Sequence, residues 1–444
     1  MEMPPHAKPM SPGLRGRRVR SLVLVALLAA ATLFAGCLSD GGSRPGGPSE
    51  APAALRFRPF VDLGSAARPG AFGTNCQDSL ADGDCGLGEP QVEVDSRGVI
   101  YVSGVCCLTV PEPVYVSRDG GASFSPLRTA TGVREAFGIE GDFAVDGEGA
   151  VYFADIEFAG SFQVTAWDRD GAFLHHTKWP AQPIVDRDWI RAEGDGRLYY
   201  VYNTGTSTNV YASTDGGRTW SPQPVHTAAF GLGMAVKGPA AGELWVLGGG
   251  GDSVGADVTR DGGLTWSQEP TRIPNGGNFP VAAFDGAGSL FGAGAVDDAI
   301  QVARRDADGA WHDAVQVSPA GHHRMPWVAT GARAGTAAVC WYGTPDATVG
   351  DRSEWFVHVA VSRGNGEAGT WTTVIADPEP VLVGDLQRQL LDFFQCEVGP
   401  DGSVHVAYSK LRPSEGGPEE QLQYVRSEPD PALAADVFPW GPGR

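Results

Sequence analysis

Ser213–Trp220 reads STDGGRTW, and the same signature returns in Thr259–Trp266 (TRDGGLTW) and Ser117–Phe124 (SRDGGASF). The pattern is Ser/Thr-x-Asp-x-Gly-x-Ser/Thr-aromatic. It describes a turn that closes on itself. The Asp carboxylate and the flanking hydroxyls bond to nearby backbone. Glycine takes φ values that other residues avoid. The terminal aromatic gains about 1.5–3 kcal/mol by packing between sheets. Ser117, Asp119, Gly121 and Phe124, Ser213, Asp215, Gly217 and Trp220, and Thr259, Asp261, Gly263 and Trp266 are therefore read as structural. Calcium binding by these Asp-rich turns is the alternative. Worn copies stand at Trp167–Phe173 (WDRDGAF), Arg305–Trp311 (RDADGAW) and Ser362–Trp371 (SRGNGEAGTW). Asp215 and Asp261 are 46 residues apart; Asp119 and Asp215 are 96 apart, with the worn copy at Asp170 between them.

A second element alternates with the first: an apolar run, a Gly/Asp turn and a β-rich run. Its copies are VEVDSRGVIYVSG (92–104), FAVDGEGAVYFAD (143–155), IRAEGDGRLYYVY (190–202), MAVKGPAAGELWVLG (234–248), VAAFDGAGSLFGAG (281–294), WVATGARAGTAAVCWYG (327–343) and CEVGPDGSVHVAYSK (396–410). Each reads as a β-hairpin. Hairpin plus boxed turn gives four antiparallel strands about every 47 residues, which is a β-propeller blade. Seven hairpins predict seven blades; six is the alternative if the irregular 327–343 copy is an insertion. The last unit lacks a clear fourth strand. Leu55–Asp62 (LRFRPFVD) reads as a strand that joins that blade and closes the ring, removing its exposed edges.

Residues 1–37 read as a targeting segment. Arg15, Arg17, Arg18 and Arg20 precede the apolar run 21–35, which is short for a membrane span. It ends in Phe34-Ala35-Gly36-Cys37, which resembles a lipobox with Cys37 as the lipidated residue; an ordinary cleaved signal is the alternative. Residues 38–54, rich in Gly, Pro and Ser, read as a flexible tether. The expected organisation is signal (1–37), linker (38–54) and propeller (55–444). The protein is expected to be exported and held on a membrane through Cys37.

The chain holds 33 Lys and Arg against 53 Asp and Glu, a net charge of −20. That excludes nucleic acid and anionic membrane surfaces as natural partners. It permits Ca²⁺, and no cofactor is required by any motif. Six cysteines follow Cys37, an even number that suggests disulfides outside the cytoplasm. Cys76 and Cys85 bracket a short loop. Cys340 and Cys396 fall on inner strands of neighbouring repeats and are a candidate pair, as Cys76 and Cys85 are a local one. Cys106 and Cys107 are vicinal and would reach different partners. Zinc is the runner-up, although no C-x-x-C pair is present.

SxDxGxTW resembles the Asp box, or BNR repeat, of the sialidase superfamily, over roughly residues 90–425. The resemblance implies a propeller with its boxes on the rim, away from any ligand. It implies little about function, because unrelated functions share one fold. The sialidase fold has six blades, so seven is a departure.

In a propeller the residues before each inner strand ring one mouth of the central channel. Here they are Glu89, Glu140, Asp142, Asp186, Arg187, Asp188, Asn275, Asn278, His322, His323, Arg324 and Asp392. Such polar convergence makes this mouth the expected site for a glycan or another extracellular ligand. The resemblance implies a stricter set for an exo-sialidase: arginines on the substrate carboxylate, a Tyr nucleophile with a Glu partner, and an Asp acid/base. Arg187 and Arg324 stand where such arginines stand, with Arg388 as a third. Tyr342 or Tyr202 would be the nucleophile, and Glu140 or Glu89 its partner. Arg272-Ile273-Pro274 matches the family's arginine motif literally but follows a box, on an outer strand. His322 and His323, as neighbours on an extended chain, point to opposite faces, so one at most faces a metal. Three readings follow: a ligand-binding propeller, a sialidase-like hydrolase acting on an acidic sugar, and a scaffold for another protein.

Overall fold

A computed structural model describes residues 54–63, 88–105, 114–128, 141–157, 161–180, 185–249, 253–276, 279–386, 390, 392–414 and 417–434. All of them lie in one compact unit, Ala53–Arg444. They form seven antiparallel sheets. The seven inner strands are Gly88–Val94, Gly141–Val145, Asp186–Ala192, Gly233–Lys237, Val281–Phe284, His322–Thr330 and Gln395–Val398. Each touches the next, and the seventh touches the first. The molecule is a seven-bladed β-propeller. The irregular 327–343 copy is a genuine blade, so the six-bladed alternative is excluded. That blade carries an additional short strand, Leu382–Val383, on Glu354–Ser362.

The seventh blade takes its outermost strand from the chain's start. Val61 pairs with Tyr424 and Asp62 with Gln423. Just upstream, Arg58 N–H donates to Arg426 O (2.9 Å) and Glu428 N–H to Arg56 O (2.7 Å).

The inner hairpins close as the sequence predicts. Asp95, Asp146 and Asp285 each accept two backbone N–H bonds across their turn, at 2.8–2.9 Å. The boxes clasp as their chemistry requires. Ser213 Oγ donates to Asp215 Oδ1 (2.9 Å) and accepts Gly217 N–H (2.9 Å). Asp215 also takes Thr219 N–H (2.8 Å) and the Thr219 hydroxyl (2.7 Å). Thr259/Asp261 and Ser117/Asp119 repeat the arrangement. The copies at Trp167–Phe173 and Arg305–Trp311 occupy the same place in their blades without the hydroxyl clasp. At the first, Asp168 caps a tighter turn through Asp170 N–H and Ala172 N–H.

Each box aromatic lies against the preceding blade. Trp220 stacks on Trp179 (centroids 4.8 Å), Trp266 on His226 (4.1 Å), and Phe124 meets Tyr424 edge-on (5.0 Å). The apolar core therefore runs between blades around the ring. One cluster joins blades seven and one through Ile100, Val102, Ala407 and Leu422, and another joins blades one and two through Tyr101, Val116, Phe143 and Phe153.

Candidate functional site

The entry end of the channel, where inner strands begin, is closed by aromatic rings. Trp189, Phe279, Trp327 and Phe393 pack with centroids 5.5–5.9 Å apart. Arg187 lies buried on this plug, its guanidinium carbon 4.2 Å from the Trp189 ring centre and 4.0 Å from that of Phe393. Such stacking suits a desolvated guanidinium. Glu89 from the first blade pairs with it at 3.7 Å. Glu89 and Arg187 both adopt left-handed φ (45° and 47°), and so does Met325 (55°). Each sits in a bulge at the start of its inner strand.

Asp188, beside Arg187, is fully buried. Burial raises its carboxyl to about 7, against the opposing influence of the Arg187 charge and the Tyr200 hydroxyl. Asp186 is exposed at the strand's start and Asp392 is half-buried beside Phe393. Glu140, Asn278 and Arg388 lie outside the described residues.

Among the described residues Glu89, Arg187 and Asp188 come together, with the Asp142 charge acting on Asp188, whereas Arg324, His322, His323 and Tyr342 are engaged elsewhere. Arg324 is exposed and pairs with Asp298, which also holds His322 at 3.1 Å. His323 is buried as a neutral ring: its Nδ1 accepts Trp341 Nε1–H (2.9 Å) and its Nε2–H donates to Pro319 O (3.1 Å). Burial lowers its pKa. Tyr342 is buried against Phe394, and its hydroxyl accepts Ser409 N–H (3.1 Å). That oxygen holds the seventh blade to the sixth. Arg272, on the outer strand Ser267–Pro274, pairs with Asp313. Among the described residues no three His, Cys, Asp or Glu side chains form a group able to hold a metal ion.

Beyond the plug the channel opens into a cavity of about 330 Å³. Its lining comes from the inner strands of all seven blades. Asp142 is the predicted mouth residue that reaches it. Asp142 Oδ2 takes Arg191 Nη1–H (2.6 Å) and Ile190 N–H (3.0 Å), and Oδ1 takes Gln395 Nε2–H (3.3 Å). Gln395 Oε1 in turn accepts Val92 N–H (3.2 Å). One carboxylate thus ties blades seven, one, two and three across the channel. Arg191, neutralised by Asp142, spends another N–H on Ala235 O (3.0 Å). Two further carboxyl groups line the cavity, Glu93 and Glu397, and Lys237 on the same lining is exposed to solvent. Burial lifts the Glu93 carboxyl well above the usual range, and the charge of Glu397 adds to that. Burial lifts Glu397 to about 7, opposed by Val398 N–H and Arg191.

Glu93, Arg191, Lys237, Gln395 and Glu397 were not among the residues the sequence marked, yet a signal existed. When the seven hairpins are aligned on their turns, the position two before the turn reads Glu93, Ala144, Arg191, Val236, Ala283, Ala329 and Glu397. Three ionic side chains interrupt a column of small or apolar ones, on strands otherwise walled in on both sides.

The BNR/Asp-box repeat model matches residues 211–222. No curated protein matches the chain. Among solved structures, YCF48 bound to a D1 peptide is similar at 13% identity and a TM-score of 0.47, over 85% of this chain and 99% of that one. A protein of unknown function from Dyadobacter fermentans gives 14% and 0.47, over 85% and 100%. A mutant of the α-L-arabinofuranosidase arb93a from Fusarium graminearum, in complex with an iminosugar inhibitor, gives 15% and 0.42, over 83% and 98%. Likeness at this level says nothing about ligand or activity.

Proposed function

We propose that this Asp-box propeller is a ligand-binding module, held at the cell surface through Cys37, that takes a small neutral or cationic polyol such as an amino sugar in its central channel. The carrying observation is the 330 Å³ cavity into which Glu93 and Glu397 project. Its size falls at the lower end of the roughly 300–1,000 Å³ of small-molecule sites. Both carboxyls are raised by burial, so a ligand that brings an ammonium group or hydroxyl donors favours their ionised, acceptor-only form and binds to it. An acidic sugar meets the opposite environment, because the Arg191 charge is already taken up by Asp142.

The same geometry disfavours the sialidase reading. Arg187 is stacked and paired beneath the plug, Arg324 is occupied by Asp298 at the surface, and the Tyr342 hydroxyl is committed to Ser409. Calorimetric titration of the full-length protein with neutral, amino and acidic monosaccharides tests the proposal. Amino sugars should bind most tightly and acidic ones least, and Glu397→Gln should abolish that order. Preferred binding of an acidic sugar, or turnover of a fluorogenic α-sialoside, would overturn it. Cys37→Ser should move the protein from the membrane to the soluble fraction.

A further inference from the structure

Cys340 and Cys396 come from different blades. Cys340 lies in Ala337–Thr344, the second strand of the sixth blade, and Cys396 lies in the inner strand of the seventh. Cys340 is the register partner of Trp327. Cys396 Sγ–H points at the carbonyl oxygen of that same Trp327, 3.7 Å away. The two side chains thus converge on one stretch of backbone at Trp327, both are free thiols, and neither has any exposure to solvent.

Nothing in the channel or the boxes uses this pair. Two buried thiols brought to the same residue from either side of a blade boundary become a disulfide when the sulfurs close to bonding distance and two hydrogens are removed. We infer that Cys340 and Cys396 form one inter-blade disulfide, a covalent clip between the sixth and seventh blades of the ring. The clip complements the non-covalent closure at Val61–Asp62, because both secure the seventh blade.

The chemistry is thiol–disulfide exchange with a small-molecule disulfide as oxidant. One cysteine thiolate attacks the oxidant and expels its first thiolate. The second cysteine then attacks the mixed disulfide and expels the other. Two protein S–H bonds and the oxidant's S–S bond break; one protein S–S bond and two oxidant S–H bonds form. The oxidant takes up both electrons and both protons.

Complete burial sets when this can happen. In the folded ring neither sulfur is accessible, and burial pushes the Cys340 thiol well above its ordinary range, so the attacking thiolate is scarce. Exchange therefore belongs to folding, before the sixth and seventh blades close on each other. Once formed, the bond resists reductants for the same reason.

The test is to denature and reduce the full chain, then refold it with oxidised glutathione or with reductant only, and alkylate it in denaturant. Trypsin releases Cys340 in peptide 334–352 and Cys396 in peptide 389–410, each with a single cysteine. The expected result is one linked species of these two peptides in the oxidised sample, and two alkylated peptides in the reduced one. The closed loop spans 56 residues, so the oxidised chain should melt about 3–5 °C higher. That gap should shrink by as much in C340A/C396A. Folded, reduced protein should acquire the bond far more slowly than refolding protein. Alkylation of both peptides in a folded, oxidised sample, or linkage of either to another cysteine, overturns the inference. The wild-type peptide map decides it even if the double variant fails to fold.

Discussion

Glu397→Gln should stabilise the protein at pH 8 and leave it nearly unchanged at pH 4. Burial raises the Glu397 carboxyl from an ordinary 4.5 to about 7. Each pH unit of such a shift corresponds to about 1.36 kcal/mol. The full shift would amount to about 3 kcal/mol; because Glu397 keeps partial solvent contact, about 2 kcal/mol is the working figure. Below pH 4.5 the group is neutral in both the folded and unfolded chain, and nothing is lost. Between 4.5 and 7 the unfolded chain releases its proton while the folded one keeps it, so stability falls as pH rises. Above 7 the folded carboxylate is charged and the loss is complete. An amide removes the titration and fills nearly the same volume. Urea unfolding of both proteins at pH 4 and pH 8 reads this out: the midpoints should nearly coincide at pH 4 and the variant should lead at pH 8. Glu93 feels the Glu397 charge, so Glu93→Gln in the Glu397→Gln background should gain less than it does alone. A variant no more stable than wild type at pH 8, or equally shifted at both pH values, would refute the account of the channel as a site of uncompensated carboxylates.

Three further outcomes follow from the fold. The Asp119 and Asp261 carboxyls are held down to about 2, chiefly by the Ser123 and Thr265 hydroxyls. Their contribution is intact above about pH 4 and lost as pH falls through 2, so acid unfolding should begin at higher pH in Asp261→Asn, measured by circular dichroism. Tyr342→Phe removes the bond from Ser409 N–H to the Tyr342 hydroxyl and should cost about 0.5–1.5 kcal/mol by urea unfolding, without altering ligand affinity. Deleting residues 54–62 exposes the edge of the strand Gly417–Arg426. It should cost about 3–5 kcal/mol through lost backbone bonds and produce concentration-dependent association on size exclusion.

The blade count was legible because it rests on local chemistry. STDGGRTW and DSRGV encode turns whose bonds all lie within five residues, so neighbouring sequence suffices to identify them. The closing strand was legible for a related reason: the last unit lacked a strand and the chain's start supplied an unassigned one. The site was less legible. Arg324 stands one residue ahead of the place that Arg187 holds in its repeat, where Met325 lies instead, so Arg187 is enclosed by Trp189 and Phe393 while Arg324, like Asp186, is exposed to solvent. Phe393 comes from the seventh blade, about 200 residues away, and nothing near Arg187 announces it. Reading polar residues at a channel mouth as a site assumes that the mouth is open, and here aromatic rings fill it.

The plug and the cavity are two consequences of one backbone device. At Glu89, Arg187 and Met325 the chain adopts left-handed φ, which costs a non-glycine residue about 1–3 kcal/mol, and each lies in a bulge where its inner strand begins. A bulge inserts one residue and so exchanges the faces of everything before it. In the third blade Arg187 and Trp189 meet in the ring cluster while Arg191, two residues further along, reaches the cavity. Strain repeated in three blades at one end of the channel persists only if the closed end returns something for it. Rings packed over that end raise the cost of holding Glu93 and Glu397 as anions, which is the physical basis of the preference proposed for a ligand that brings donors or positive charge.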